Sequence, residues 1–308
     1  MVALLFPGQG AQEVGMGQDL AERYPSAREV FDRANEALGV SLSHTMWEGP
    51  EEELTATHNA QPAILTHSLA VYAVVAEQLG AVALTAGHSL GEFSAHVAAG
   101  TLTFEDAVRA VRRRGELMFR AGQERPGTMA AVIGLDDDVI EGICRDASAA
   151  DDGACVPANF NSPGQTVISG DVEAVERAVV LAKEAGARRA LPLNVSGAFH
   201  SPLMEAAEAG LREYLDEVTF SELRVPVVSN VTAEPVSDPA EAQRLLVEQL
   251  TSPVRWTASM RTMRERGVQR FVELGPGRVL AGLLRRIDRD AEVESLGTVD
   301  QVQAFLEG

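Results

Sequence analysis

The run Gly87-His88-Ser89-Leu90-Gly91 fits G-x-S-x-G, the spacing of a nucleophilic serine when a strand precedes it and a helix follows. Glycines flank such a serine because the sharp turn brings backbone atoms close and leaves no room for Cβ atoms. The hydroxyl then stands exposed at the carboxyl end of a strand. The following helix aims its N-terminal dipole and its unpaired N–H groups at a reacting carbonyl. The chemistry this pattern predicts is covalent attack of Ser89 on a carbonyl carbon.

A serine needs a base to act as a nucleophile near neutral pH. The six histidines are His44, His58, His67, His88, His96 and His200. His88 adjoins the nucleophile, but neighbouring side chains at an elbow point apart. His67 and His96 fall in apolar helical stretches and read as satisfied core or surface residues. His200, in Ser196-Gly197-Ala198-Phe199-His200-Ser201, follows a strand at a point where two parts of the chain should form a cleft. It is the candidate base, with a structural histidine as the alternative. No acidic residue presents itself as a third member. Hydrolases of the α/β type place their acid after the serine and their histidine near the C-terminus, whereas His200 lies two-thirds along the chain. A Ser–His dyad oriented by a backbone carbonyl fits better.

These residues need a scaffold, and short strands alternating with long helical patterns predict an α/β chain with a mostly parallel sheet. Residues 2–6 form a first strand ending in the glycine-rich turn Pro7-Gly8-Gln9-Gly10. Ser26 followed by Glu29 reads as a capping box opening a helix that stops near Gly39. Residues 62–79 read as an apolar helix and 81–86 as a short buried strand entering the elbow. The next helix ends at Gly100, and Thr103 with Asp106 caps the one after it, which carries Arg114. Residues 127–195 differ. Strands at 128–133, 154–160, 165–169 and 188–195 and helices at 137–147 and 171–185 follow the order βαββαβ, the ferredoxin-like unit. Asn161-Ser162-Pro163-Gly164 turns between the middle two strands. The expectation is a small subdomain, 127–195, inserted into a large hydrolase-like domain of 1–126 and 196–308, where strands at 225–229 and 270–273 and the tight turn Gly275-Pro276-Gly277 resume the α/β pattern.

Composition narrows the class. The chain has 308 residues, 45% hydrophobic and 23% charged, enough for a core without disulfide or metal staples. Cys144 and Cys155 are its two cysteines; neither adjoins a metal-ligand pattern, and both read as buried small hydrophobes. The opening MVALLFPGQG has no basic segment and its apolar run stops at Pro7, unlike a signal peptide. The most apolar stretch, 62–84, carries His67, Glu77 and Gln78, unlike a membrane span. A cytoplasmic protein with reduced thiols is expected. The net charge of −19 argues against a nucleic-acid partner.

The chain resembles the malonyl-CoA:acyl-carrier-protein transacylases of type II fatty-acid synthesis and the related acyltransferases of polyketide synthases. The resemblance runs from residue 3 to about residue 290. It rests on LLFPGQGAQ (4–12), QPAIL (61–65), GHSLGEFSA (87–95), RRGELM (113–118), ANFNSPGQTVISG (158–170), VSGAFHSPLM (195–204), SPVRW (252–256) and ELGPGRVL (273–280). It implies an α/β hydrolase-like core with a ferredoxin-like subdomain, and no metal or bound cofactor. The substrates it implies are malonyl-CoA and the phosphopantetheine thiol of an acyl carrier protein.

Roles carried over from the family fall on single positions. Ser89 is the acylated serine and His200 its base. The oxyanion hole falls on the backbone N–H groups of Gln9 and Leu90, at a turn and a helix start where donors cannot swing away. Arg114 falls where the family grips the malonyl carboxylate, a task suited to a planar, bidentate guanidinium. Gln249 supplies a main-chain carbonyl to the histidine, and Asn159 lines the cleft. Phe199 stands at the selectivity position, where Phe-His goes with malonyl and Ser-His with methylmalonyl; a bulky ring fills the space an α-methyl would need. Phe93 stands where Tyr is frequent and His96 where Leu is, both beyond the elbow.

Two other classes remain beside this reading: an acyl-carrier-protein hydrolase or esterase, a subgroup that typically lacks the arginine, and a non-catalytic docking protein that kept the fold. The charge also poses a demand. Coenzyme A and carrier proteins are anionic, so docking against a net charge of −19 needs a local basic patch. With Lys183 as the sole lysine, arginine must supply it, first Arg188 and Arg189, then Arg285 and Arg286.

Overall fold

The computed structural model describes residues 1–150 and 153–308. Its strands are β1 (Val2–Phe6), β2 (Val82–Gly87), β3 (Gly127–Ile133), β4 (Cys155–Ser162), β5 (Gln165–Asp171), β6 (Arg189–Pro192), β7 (Val227–Val228), β8 (Pro235–Val236), β9 (Arg270–Leu274) and β10 (Glu292–Leu296). They form two sheets. The larger has the order β10-β9-β1-β2-β7-β8 and is parallel except for its last pair. The smaller, β4-β5-β3-β6, is antiparallel throughout. With the helices Asp137–Ala149 and Val172–Glu184 it completes the expected βαββαβ order.

The central strand β1 shows why the large sheet is buried on both faces. Ala3 and Leu5 join one core cluster, with Leu84, Trp256 and Phe271, while Leu4 and Phe6 join another, with Ile64, Phe93 and Val111. Side chains alternate across a strand, so a strand apolar at every position needs cover on both sides. The small sheet divides likewise. Ala130, Val132 and Ile168 pack under its own helices, while Met129, Ala158 and Val167 face the main core. Backbone bonds tie the small sheet to the segment that precedes the helix Trp256–Glu265: Val254 N donates to Ala158 O at 2.8 Å and Phe160 N to Val254 O at 2.9 Å.

Several local expectations are corrected. The capping box at Ser26 and Glu29 does not form. The helix Pro25–Leu38 starts earlier, with Tyr24 as N-cap and no side-chain cap. Proline at the first helical position loses no hydrogen bond and presets φ, so Pro25 draws the start ahead of Ser26. The apolar helix spans Thr57–Val75 rather than 62–79, with Pro62 inside it. Pro62 has no N–H to give the His58 carbonyl, which accepts from Arg112 Nη1 at 3.2 Å instead. β6 ends at Pro192; Leu193 N still donates to Met129 O at 2.8 Å, and residues 193–195 go on to line a cleft. β7 keeps only two residues of the expected five at 225–229. No expectation covered β10 or the closing helix Val299–Glu307, whose Thr298–Gln301 capping box is complete. The caps at Gly39, Gly100 and Thr103 stand as expected. Among the described residues, no helix is long and apolar enough to cross a membrane, and no group of three or more His, Cys, Asp or Glu is arranged to hold a metal ion.

Candidate active site

β2 runs into the elbow, and the helix Gly91–Ala99 leaves it. Both flanking glycines are sterically required. A Cβ on Gly87 would lie 1.9 Å from the Gly91 carbonyl, and one on Gly91 would lie 2.2 Å from Phe6 O. Ser89 itself has φ 51°, in the left-handed region that side chains avoid. The turn is pinned from outside. Ser89 N donates to Asn230 Oδ1 at 2.7 Å, Asn230 Nδ2 donates to Gly87 O at 2.7 Å, and Gln249 Nε2 donates to Ser89 O at 3.1 Å.

Ser89 Oγ lies 2.9 Å from His200 Nε2. His200 is 4% exposed, and its Nδ1 faces two main-chain carbonyls, Gln249 O at 2.8 Å and Ser252 O at 3.2 Å. Carbonyl oxygens only accept, so Nδ1 carries the ring proton and Nε2 presents its lone pair to the serine hydroxyl. Burial, and then the charge of Arg114, push the His200 pKa down to about 3. The imidazole is therefore neutral across the physiological range. The groups that face Nδ1 are main-chain carbonyls.

Arg114, on the helix Phe104–Glu124, is 1% exposed. Nη1 donates to Gln61 Oε1 at 2.8 Å, and Nη2 donates to Gln249 Oε1 and to Ser89 Oγ, both at 3.0 Å. All three acceptors are neutral. Burial lowers its pKa to about 10, opposed by the charge of Glu92, so it stays a cation. Among the described residues, no carboxylate hydrogen-bonds this guanidinium, so beside the nucleophile it can take an anionic substrate group directly.

Ser89, His200 and Arg114 open into a cleft of ≈ 550 Å³ between the two sheets, and Gln9, Leu90, Asn159 and Phe199 line the same cleft. Gln9 follows β1 in a turn that presses on the elbow, where a Cβ on Gly8 would lie 2.6 Å from His88 O. Its side chain donates to Thr57 Oγ1 at 3.3 Å. Leu90 is the N-cap of the Gly91–Ala99 helix. Asn159 is buried on β4 at the bridge to Val254. Phe199 is 7% exposed, and Met118, Met129, Leu193 and Val195 share its cleft.

Of the other histidines, His88 lines the same cleft but its ring is engaged elsewhere, and His67 and His96 do not line it. His88 is engaged by Asn161 Oδ1 at 2.8 Å and packs on the Trp256 ring at 5.5 Å. His67 and His96 are buried, their pKa values pushed down by desolvation to about 4 and about 3. Cys144 and Cys155 are buried free thiols.

Sequence reasoning assigned no role to four groups that hold the site: Gln61, Glu92, Asn230 and the side chain of Gln249. Gln61 and Glu92 lie inside the motifs QPAIL and GHSLGEFSA, which marked them without saying what they do. Asn230, just past β7, left a weaker sign, a buried polar residue at a strand end.

Residues 3–303 match the family model described as an acyl transferase domain. The malonyl CoA-acyl carrier protein transacylase of Bacillus subtilis (strain 168) is 45% identical over 307 residues, covering 99% of this chain and 96% of that one. The enzyme of the same name from Staphylococcus aureus (strain MRSA252) is 43% identical over 305 residues, covering 99% and 98%. A crystal structure of an acyl carrier protein S-malonyltransferase from Vibrio cholerae superposes with a TM-score of 0.94 at 45% identity, covering 98% of this chain and 99% of that one. A type II polyketide-synthase acyl carrier protein in complex with its malonyl-transacylase gives a TM-score of 0.95 at 43% identity, covering 99% of each chain.

Proposed function

Because the chain belongs to the acyl transferase family, we propose that it moves a malonyl group from malonyl-CoA to the phosphopantetheine thiol of an acyl carrier protein, in fatty-acid or polyketide biosynthesis. Relatives and solved neighbours across nearly the full length carry that activity in their names. The observation that supports this reading most is that one atom, Ser89 Oγ, touches both a neutral imidazole nitrogen at 2.9 Å and a buried guanidinium at 3.0 Å. The first is what a nucleophile needs. The second is what a substrate with a free carboxylate needs.

The reaction is ping-pong. His200 Nε2 takes the hydroxyl proton as Ser89 Oγ attacks the thioester carbon. The oxyanion is held by the amides of Gln9 and Leu90, fixed donors that cost no reorganisation. As the tetrahedral intermediate collapses, the C–S bond breaks and His200 returns the proton to the departing thiolate. The malonyl ester remains, its carboxylate on Arg114. The carrier thiol then runs the steps in reverse. Burial and a neighbouring cation make the imidazolium costly in the empty site. An oxyanion and a malonyl carboxylate bring the negative charge that offsets this. No step draws on a metal or bound cofactor. We assign residues 127–195 to a small subdomain and 1–126 with 196–308 to a large one, the cleft lying between them, and place the protein in the cytoplasm.

Intact-protein mass spectrometry after exposure to a panel of acyl-CoAs tests the reading. A malonyl adduct on Ser89 that is discharged by a carrier protein is expected. Thioester loss without a carrier protein would favour a hydrolase, and absence of any adduct a docking protein.

A further inference from the structure

Glu92 is the second residue of the Gly91–Ala99 helix and lies behind the nucleophile, 1% exposed. Its Oε2 accepts from Gln249 Nε2 at 2.6 Å and from Asn230 N at 3.2 Å. These are the two residues whose side chains pin the Ser89 backbone. An amide has one donor end and one acceptor end. By holding Nε2, Glu92 obliges Gln249 to turn Oε1 toward Arg114 Nη2, 3.0 Å away. With the amide reversed, an NH₂ group would face the guanidinium. Gln249 thus stands between a buried acid and a buried base and is oriented by both.

The charges near Glu92 can be enumerated. It faces Gln249 at the end of the helix Pro239–Glu248, Ser229 and Asn230 after β7, and Arg114 on the helix Phe104–Glu124. Of these, Arg114 carries charge. The nearby imidazoles of His88 and His200 are both disfavoured as cations by burial. With Glu92 ionised the empty cluster is neutral: one guanidinium, one carboxylate. A malonyl ester on Ser89 adds a second carboxylate against the same guanidinium, out of water, where an excess charge is costly.

We propose that Glu92 is a positioning residue that aims Arg114 through Gln249 in the empty enzyme, and that it takes up one proton from solvent when a malonyl carboxylate arrives at Arg114. The inference rests on the malonyl-transfer reading. Desolvation already lifts the Glu92 carboxyl to about 7, against the pull of Gln249, Asn230 and Arg114, and a second buried anion acts in the same upward direction. The protonated acid has an acceptor in the Ser229 hydroxyl, which already hydrogen-bonds the carboxylate.

The acyl exchange itself is neutral in protons: a thioester and a hydroxyl become an ester and a thiol, and the thiol keeps most of its proton at pH 7.5, about a unit below a typical thiol pKa. Proton uptake during loading therefore reports a protein group. Mixing the full-length enzyme with malonyl-CoA, without carrier protein, in weak buffer with a pH indicator measures it. Intact mass in the same samples counts adducts. More than about half a proton per malonyl adduct is expected at pH 7.5, and the loading equilibrium should fall roughly three- to tenfold from pH 7 to pH 8. Glu92→Gln, a permanent mimic of the protonated acid, should abolish the uptake and flatten that pH dependence, and Glu92→Asp should restore both. A malonyl adduct formed without proton uptake in the wild type overturns the proposal, as does uptake undiminished in Glu92→Gln. Absence of any malonyl adduct overturns instead the reading on which it rests.

Discussion

Ser89 and His200 lie 111 positions apart, both have left-handed backbones, φ 51° and φ 56°, and their side chains meet at 2.9 Å. A left-handed conformation costs an ordinary residue on the order of 1–3 kcal/mol and persists only where surroundings over-determine it. Here one residue supplies much of that surrounding. Gln249 accepts from His200 Nδ1 with its main-chain carbonyl, donates to Ser89 O with its side-chain amide, and accepts from Arg114 with the other end of that amide. Nucleophile, base and cation share a single support.

Ser89→Ala should abolish the acyl-enzyme while leaving the circular dichroism spectrum unchanged. His200→Ala should slow acylation by roughly a hundredfold or more, the scale of a general base. Rapid-quench mass spectrometry measures both. Malonyl uptake on another residue in Ser89→Ala would refute the mechanism.

Arg114→Ala should cost malonyl transfer far more than acetyl transfer, since only malonyl offers a carboxylate to the guanidinium. Removing one partner of a buried charge pair costs about 2–5 kcal/mol, so kcat/KM for malonyl-CoA should fall by at least about thirtyfold. Equal losses for the two substrates would make Arg114 a structural residue that serves Gln61 and Gln249 alone.

Phe199→Ser should raise activity toward methylmalonyl-CoA relative to malonyl-CoA, because the ring occupies the cleft beside Ser89 and His200. One methyl discriminated in an apolar pocket is worth about 1–3 kcal/mol, a shift of roughly tenfold to two-hundredfold. Competition assays with both thioesters read the ratio, and an unchanged ratio in a folded variant would place selectivity elsewhere.

Arg188, Arg189 and Arg286 line one surface hollow with Gln165, to which Arg286 donates, whereas Arg285 lies outside it. An acidic carrier protein approaching a chain of net charge −19 needs such a patch. The double variant Arg188→Glu/Arg189→Glu should raise KM for the carrier protein and leave KM for malonyl-CoA nearly unchanged. Added salt should act in the same direction on the wild type, since surface charges are screened over about 8 Å at physiological ionic strength. Carrier-protein kinetics indifferent to both changes would remove the hollow from the interface.

Whatever depended on near neighbours was legible in the chain itself. The elbow needs two glycines about one serine, and its strand and helix announce themselves by apolar runs and by Gly100. The βαββαβ order follows from periodicity, and Arg114, His200 and Phe199 sit in motifs whose resemblance located them. Helix starts were misplaced at Pro25, which overrides the capping pattern at Ser26, and at Pro62, which lies inside a helix that starts at Thr57, because local rules are overruled there by packing. What only the tertiary structure decided is the support of the site: Asn230 on the Ser89 amide 141 positions away, Gln249 on the Ser89 carbonyl 160 positions away, and Glu92 on Gln249 157 positions away. These are single polar side chains from unrelated loops and helix ends. They have no periodicity and no fixed spacing, since each is chosen by a donor or acceptor that becomes buried only when the sheets close. A sequence records the residue that does the chemistry in its own neighbourhood, while the partner that satisfies it is specified by geometry that exists only after folding.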